Sequence, residues 1–547
     1  MQTQCRGSDR LAPLAMHPPH SMPSAPRFAA GHIPPWLLIL LLGHSVLHFA
    51  LGWVLGLSGD EAHYALYGAH LALSYYDHPP LVGWVQWPLV ALGAPDGLLR
   101  VIPEALWVLT ALCIDDVARR LHALFASDAG KAESQAKSTA DAAGLWAVLA
   151  YSFAPLLHVL GIGLLPDTLL MFFTAAILRQ TLLLLDAGYA QQRRGWLLLG
   201  VLLGLAGLSK YTAIFAALPV LVSLLATHGA RLLKRPDPWL AMVLAAVMVL
   251  PVFIWNAQHD WISLTYQFKH GKGSHWEAKQ VLVFLLAQVL LYPLLIWGAL
   301  GLRHRVSGGR GVRRTPRGLQ SGLQWGLLSF FALPLAVLAY LSGGGTSLPH
   351  WTAPAWVALT PFAGVGLATW WARGRRVLTL VLIGLETLII VCMYTLLMLA
   401  GPPWQGSAGL NNKTPEMINP FSDFYGWDQT AARATALAQV HQIDHLAVQN
   451  WTLASRLAWY ARPLPVHVLA PDFDQFSLWT GPLPVGASAV LMDWSQLSHR
   501  LPVGPGQFSR CEAAEVLPVH RAGRAVSHFG LYLCHDWGGQ PAPKAVP

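Results

Sequence analysis

Between residues 35 and 399 the chain is a succession of apolar runs. Most are near the roughly 20 residues that a helix needs to cross the hydrocarbon core of a bilayer. No water satisfies the backbone there, so such runs must close their own hydrogen bonds as helices. A soluble fold is excluded by charge. Asp, Glu, Lys and Arg make up 12% of the 547 residues, whereas a soluble domain carries about a quarter. The chain therefore reads as a polytopic α-helical membrane protein with about eleven spans. They are expected near 35–57, 101–124, 143–164 and 166–185, then as a pair meeting at 208–212. The rest are expected near 239–255, 280–302, 323–341, 351–371 and 377–399. The first run is longer than the apolar core of a signal peptide and has no small-residue cleavage site, so it reads as an uncleaved anchor. Residues 1–33, polar and without periodicity, read as a flexible cytoplasmic tail.

The placement of charge gives an orientation. Arg193, Arg194, Arg231, Lys234, Arg235, the cluster from Arg303 to Arg317, and Arg373, Arg375 and Arg376 all fall on the side of the N-terminus. The other side carries Arg100, Lys210, Lys269, Lys272 and Lys279. By the positive-inside rule the N-terminus is cytoplasmic. The net charge of +9 therefore resides in short loops and implies contact with membrane lipids, not nucleic acid. Residues 34–400 form the expected membrane domain, and an odd number of spans places 401–547 outside. There the runs shorten. Residues 431–440 and 453–461 read as helices, and 445–448, 466–469 and 487–492 as strands. The alternation implies a small extracytoplasmic α/β domain. Cys511 and Cys534 lie in it, at the edges of segments read as neighbouring strands, and are expected to form a disulfide. Cys113 and Cys392 lie in apolar runs, and no zinc-spaced cluster is present.

The polar stretch after the first run stands apart from its greasy surroundings. It gathers Asp60, Glu61, Asp77, His63, His70 and His78 with several aromatics. Ionisable groups beside a bilayer are costly and mark a site or an interface. Ser58-x-x-Glu61 fits a capping box, which makes Glu61 a helix-start residue. Asp60 next to it has two readings, a base or a charge favouring a helix N-terminus. Asp167 follows a proline at a helix start and reads either as a cap or as a functional acid. Lys210, between two spans, either snorkels to the interface or holds an anion. Lys269, Lys272 and His275, in a later loop of the same side, are candidates for the same anion.

Asp60-Glu-Ala-x-Tyr64, followed about a dozen residues later by Tyr75-Tyr-Asp-His-Pro-Pro-Leu81, carries a resemblance. So do Leu208-Ser-Lys-Tyr211, Pro349-His-Trp-x-Ala-Pro354, Asn419-Pro-Phe421 with Gly426-Trp427, and Asp474-Gln-Phe-x-Leu-Trp479. Together they resemble the dolichyl-phosphate-mannose–protein mannosyltransferase family, to which the aminoarabinose transferase of lipid A modification is related. The resemblance implies the C-type glycosyltransferase fold in a bacterial inner membrane, with a periplasmic C-terminal domain. It implies an inverting transfer of sugar from a polyprenyl-phosphate donor to a lipid, glycan or protein acceptor. Asp60 would be the catalytic carboxylate, with Asp167 orienting the acceptor or assisting it. Glu61, His63, Tyr64, His78 and Lys210 would surround the substrate. His63 stands where the aminoarabinose branch has an arginine, a departure from that branch. Asp77, His78 and His275 are weak candidates for a divalent metal. The rival readings are a transporter or flippase of lipid-linked sugars and a non-catalytic membrane assembly protein. A transporter would place ionisable groups near the bilayer midplane and discontinuous helices in two related halves.

Overall fold

A computed structural model describes residues 34–125, 133–272, 275–308, 317–345, 347–405, 410 and 419–541. The expected tail at 1–33, Arg310, Arg313, Arg314 and the side chain of Lys272 lie outside the described residues. A helix occupies each of the eleven expected segments. Among the described residues seven helices are long and apolar enough to cross a membrane, and an eighth candidate is a bent pair. Prolines open several of them, including Pro35–Val54, Pro166–Leu184 and Pro236–Gln258. A proline at the first turn costs nothing, because its missing N–H would have no partner there.

The expected span at 143–164 is interrupted at Ala154, and that at 280–302 is sharply bent. Helices Ala278–Leu291 and Pro293–Gly308 meet at an angle of 83°. Pro293 has no N–H to continue the first helix. The break bares backbone donors inside the bundle, and Glu386, from the helix Arg376–Leu399, accepts from Leu294 N at 3.1 Å. One feature that the transporter reading anticipates, a broken helix, is thus present, and a protein carboxyl closes it.

The helix Ala353–Ala372 is the centre of the bundle and is buried over nearly its whole length. Small residues let its neighbours approach closely. A Cβ on Gly366 would stand 1.8 Å from the Gly298 carbonyl oxygen.

The C-terminal region forms a five-stranded sheet, ordered β2-β1-β3-β5-β4. β1 is Leu446–Val448, β2 Val466–Val468, β3 Ala489–Trp494, β4 Phe508–Arg521 and β5 Arg524–Trp537. β2, β1 and β3 run parallel, with helix Trp451–Ala461 in the β1-to-β2 crossover. β5 lies antiparallel to β3 and joins β4 in a long hairpin. Cys511 and Cys534 face each other across that hairpin and are joined by a disulfide. Replacing both by serine is expected to cost the sheet domain about 3 kcal/mol, from the entropy of closing a loop of this length. Thermal unfolding with and without reductant measures it, and equal midpoints for the two proteins would refute it.

The sheet domain is not a free appendage. Leu57, Ala62, Ala65, Leu66 and Leu99 of the first loop share one apolar core with Trp427, Leu453, Leu457, Val490 and Phe529. The Gly56 N–H donates to the Phe424 carbonyl at 3.2 Å. Arg524 donates to the carbonyls of Leu399 and Gly401 at 3.0 and 2.7 Å. A division at residue 400 therefore cuts through a common core, and the first loop is clamped between bundle and sheet.

Candidate active site

The first loop folds as a helix, Gly59–Ala69, capped by Ser58. The Glu61 N–H donates to Ser58 Oγ at 3.2 Å, and the Ser58 N–H donates to Glu61 Oε2 at 3.0 Å. Arg100 then grips both Glu61 oxygens, at 2.9 and 3.0 Å. Its remaining N–H groups reach the carbonyls of Gly52, Leu55 and Gly56. Glu61 is thus fully engaged in fastening this helix to the end of the first span. Both its oxygens already accept from Arg100, so its capping reading is the one that the contacts support.

Asp60 sits in the first turn of the same helix, half-buried. Burial pushes its carboxyl above the ordinary value, while the charges of His350 and His63 pull it partly back. Gly59, its neighbour, lies against the sheet domain: a Cβ there would be 2.9 Å from Arg456 Nη2. Arg456 bonds Asp423 at 2.5 Å and stands over the Trp427 ring at 4.1 Å. The sheet domain therefore supplies a buried cation beside the carboxylate.

The second group of charges comes from three other elements. Lys210, at the end of helix Arg193–Ser209, donates to both Asp167 oxygens at 2.7 Å. His350, in the short turn Pro349–Thr352, lies 3.9 Å from Asp167 Oδ2. Trp351 places its ring 5.3 Å from the Lys210 ammonium. Burial lowers the His350 imidazole, the charges of Asp167 and Asp60 raise it, and Lys210 lowers it further. Asp167 was expected to orient the acceptor or assist Asp60. Both its oxygens hold Lys210, so it also fixes that cation in place.

The third group surrounds Asp77. His63 Nε2 lies 3.6 Å from Asp77 Oδ1, and the Tyr67 hydroxyl donates to the same oxygen. Burial alone would raise the Asp77 carboxyl, but the charge and hydrogen bond of His63, the charge of His78 and the hydrogen bond of Tyr67 outweigh it. Asp77 is held below the usual carboxylate range. His63 also bonds Ser455 at 3.0 Å, a second link to the sheet domain. Tyr64 places its ring 5.5 Å from that of His78 and feels the charges of Asp60, Asp77 and Asp167. Burial pushes the His78 imidazole down to about 4, so it is neutral at physiological pH. Its buried Nδ1 has no hydrogen-bond partner among the described residues.

The structure thus gathers Asp60, His63, Tyr64, Asp77, His78, Asp167 and Lys210 at one end of the bundle. It does not gather Lys269 or His275, which are exposed and, among the described residues, carry no ion pair to the cluster. Nor do Asp77, His78 and His275 make a metal site: no group of three potential ligands converges among the described residues. Sequence reasoning missed His350 and Arg456. The Pro349-His-Trp match singles out the turn but gives the histidine no role of its own.

The family model described as dolichyl-phosphate-mannose-protein mannosyltransferase matches residues 135–255. The lipid A galacturonosyltransferase RgtD of Rhizobium johnstonii is 26% identical over 338 residues, 60% of this chain and 64% of that protein. The fold is similar to that of ArnT from Cupriavidus metallidurans. For the form bound to undecaprenyl phosphate the TM-score is 0.57 at 15% identity, over 91% of this chain and 98% of that one. The chain is thus similar to mannosyltransferase-like proteins over part of its sequence and to ArnT in its fold. The apo form of the same ArnT gives a TM-score of 0.55 at 16% identity, over 93% of this chain and 99% of that one. The fold is therefore the C-type one, a polytopic bundle with an appended sheet domain. The match to RgtD spans somewhat less than two-thirds of that relative's length.

Proposed function

We propose that this chain is an inverting glycosyltransferase that moves a sugar from polyprenyl phosphate to a lipid acceptor at the outer face of the inner membrane. In this reading the N-terminus is cytoplasmic and the sheet domain periplasmic, as the Lys/Arg asymmetry indicates. The observation that carries the reading is the convergence of a half-buried carboxylate, Asp60, and a clamped cation, Lys210, on His350 at one end of the bundle. Their jobs are complementary. Asp60 takes the proton of the acceptor hydroxyl as its oxygen attacks the anomeric carbon. The bond from that carbon to the phosphate oxygen breaks on the opposite face, and polyprenyl phosphate leaves with the electron pair. An ammonium has three donors, and two of those of Lys210 are held by Asp167. The third is available to the leaving phosphate, whose growing charge it stabilises. Neutral His78, with its free nitrogen, lies beside the same lysine and can receive or orient a phosphate or hydroxyl proton. RgtD acts on lipid A and ArnT holds undecaprenyl phosphate by their names, which supports lipid A as the acceptor to try first.

The test is transfer by the purified protein from undecaprenyl-phosphate-linked galacturonic acid to lipid A, read by mass spectrometry. No transfer from this or other undecaprenyl-phosphate sugars, with both lipids bound, would refute the reading. The pH dependence gives a second check. The base works only when ionised, so turnover falls as pH drops through the Asp60 value. Burial raises that value, so the acid limb is expected above the ordinary aspartate value of about 3.9. A limb at or below that value would exclude Asp60 as the titrating base.

A further inference from the structure

Gln288 lies in helix Ala278–Leu291, on an otherwise apolar stretch, and is buried to 2% exposure. A primary amide at such a site is costly unless its bonds are made. Here they go to the turn Pro349–Thr352 and to the helix that follows it. The Trp356 Nε1–H donates to Gln288 Oε1 at 2.8 Å, and the Thr352 hydroxyl donates to the same oxygen at 2.6 Å. An indole N–H can only donate, so it fixes which end of the amide faces it. Nε2 is thereby turned to the Pro349 carbonyl, 3.5 Å away. Pro349 and Thr352 are the two ends of the turn whose middle residues are His350 and Trp351. One side chain thus brackets the pair that touches Asp167 and Lys210.

The helix that carries Gln288 is itself fixed just beyond it. It ends where the Tyr292 ring stacks on Trp356 at 4.3 Å, and Glu386 holds the Leu294 N–H on the far side of the break. The break at Pro293 therefore sets the depth and direction of Gln288. We infer that Gln288 is a positioning residue that holds His350 and Trp351 against the Asp167–Lys210 pair. This rests on the transferase reading above for its consequence, but not for its geometry.

The test uses the full-length protein in lipid nanodiscs, with turnover expressed per folded molecule. Gln288→Leu removes both the acceptor and the donor, and kcat is expected to fall about 10- to 100-fold, the scale of a displaced catalytic group. Gln288→Glu keeps an acceptor for Thr352 and Trp356 and is expected to recover most of that loss. Leu302→Ala, a core truncation on the far arm of the break, should leave kcat unchanged while lowering the melting temperature. Wild-type kcat in Gln288→Leu, or a Gln288→Glu variant no better than the leucine one, would overturn the inference. A cryo-electron microscopy structure of Gln288→Leu decides independently of activity. His350 should leave ion-pair range of Asp167, and retention of the 3.9 Å contact would overturn the positioning role. Absence of transfer by the wild type would instead sink the transferase reading alone.

Discussion

Asp60→Asn is expected to lower transfer by about two to four orders of magnitude, the usual contribution of a positioned general base. Folding should survive. Ser58, not Asp60, caps the Gly59–Ala69 helix, and the Glu61–Arg100 pair fastens it. Asparagine keeps the shape and gives up only a first-turn charge, a contribution of about 0.3–1 kcal/mol. The titration works the other way. A carboxyl raised by burial is one whose ionised form the fold penalises. Its effect on stability is absent below the unfolded value and becomes a loss as pH rises through the folded one. Removing the charge is therefore expected to leave the melting temperature at pH 7 unchanged or slightly higher. Turnover and thermal unfolding of the same preparation measure both. Near-normal turnover would remove Asp60 from the mechanism, and collapse of folding would assign it a structural role.

What the sequence made legible was what depends on period and local chemistry. The apolar runs located a helix in each expected segment. Ser58 and Glu61, three residues apart, announced their capping box by spacing and residue type alone. β1, β2 and β3 are short buried strands, and their apolar runs marked them. β4 was legible only around Cys511, because after the buried Phe508 its residues alternate between exposed and half-exposed positions. Its apolar contacts, Phe508, Leu517 and Val519, are too few to give a clear hydrophobic pattern, and pairing with β5 and the Cys511–Cys534 bridge hold it in place. The break at Tyr292–Pro293 was hidden inside a run whose hydropathy continues across it.

Pairings were the other blind spot. Arg100 meets Glu61 from 39 residues away, and Lys210 meets Asp167 from 43. In each case whole helices intervene, so no local spacing could announce the contact. The charges were singled out or noted one by one, and the contacts add a part for each carboxylate: Glu61 fastens a helix and Asp167 holds Lys210. The set of half-buried Ser45 with buried His48 and Glu104 shows the same limit. Ser45 and His48 each lie 2.5 Å from a Glu104 oxygen. The residues sit on the first and second spans, where each reads singly as an oddity in an apolar run. Satisfied together they are a polar tie between two helices, the form in which ionisable groups persist within a membrane.

The Lys210–Asp167 pair permits a sharper experiment than a single substitution. Both side chains are almost wholly buried, so removing one leaves the other charged and unpaired. Lys210→Met is expected to destabilise by about 3–5 kcal/mol, the usual cost of breaking a buried pair from one side. The double variant Lys210→Met with Asp167→Leu removes both charges and should regain most of that stability, because a buried pair is often close to neutral against apolar residues. Activity should not return with it. If Lys210 receives the leaving phosphate, the double variant remains without the stabilising donor, a deficit of about 10²–10³ in turnover for one lost donor. Binding of undecaprenyl phosphate should weaken in parallel. Thermal unfolding, turnover and lipid binding on the wild type, both single variants and the double variant separate the two contributions. Recovery of turnover together with stability in the double variant would show that the pair serves the fold alone and that the phosphate is held elsewhere.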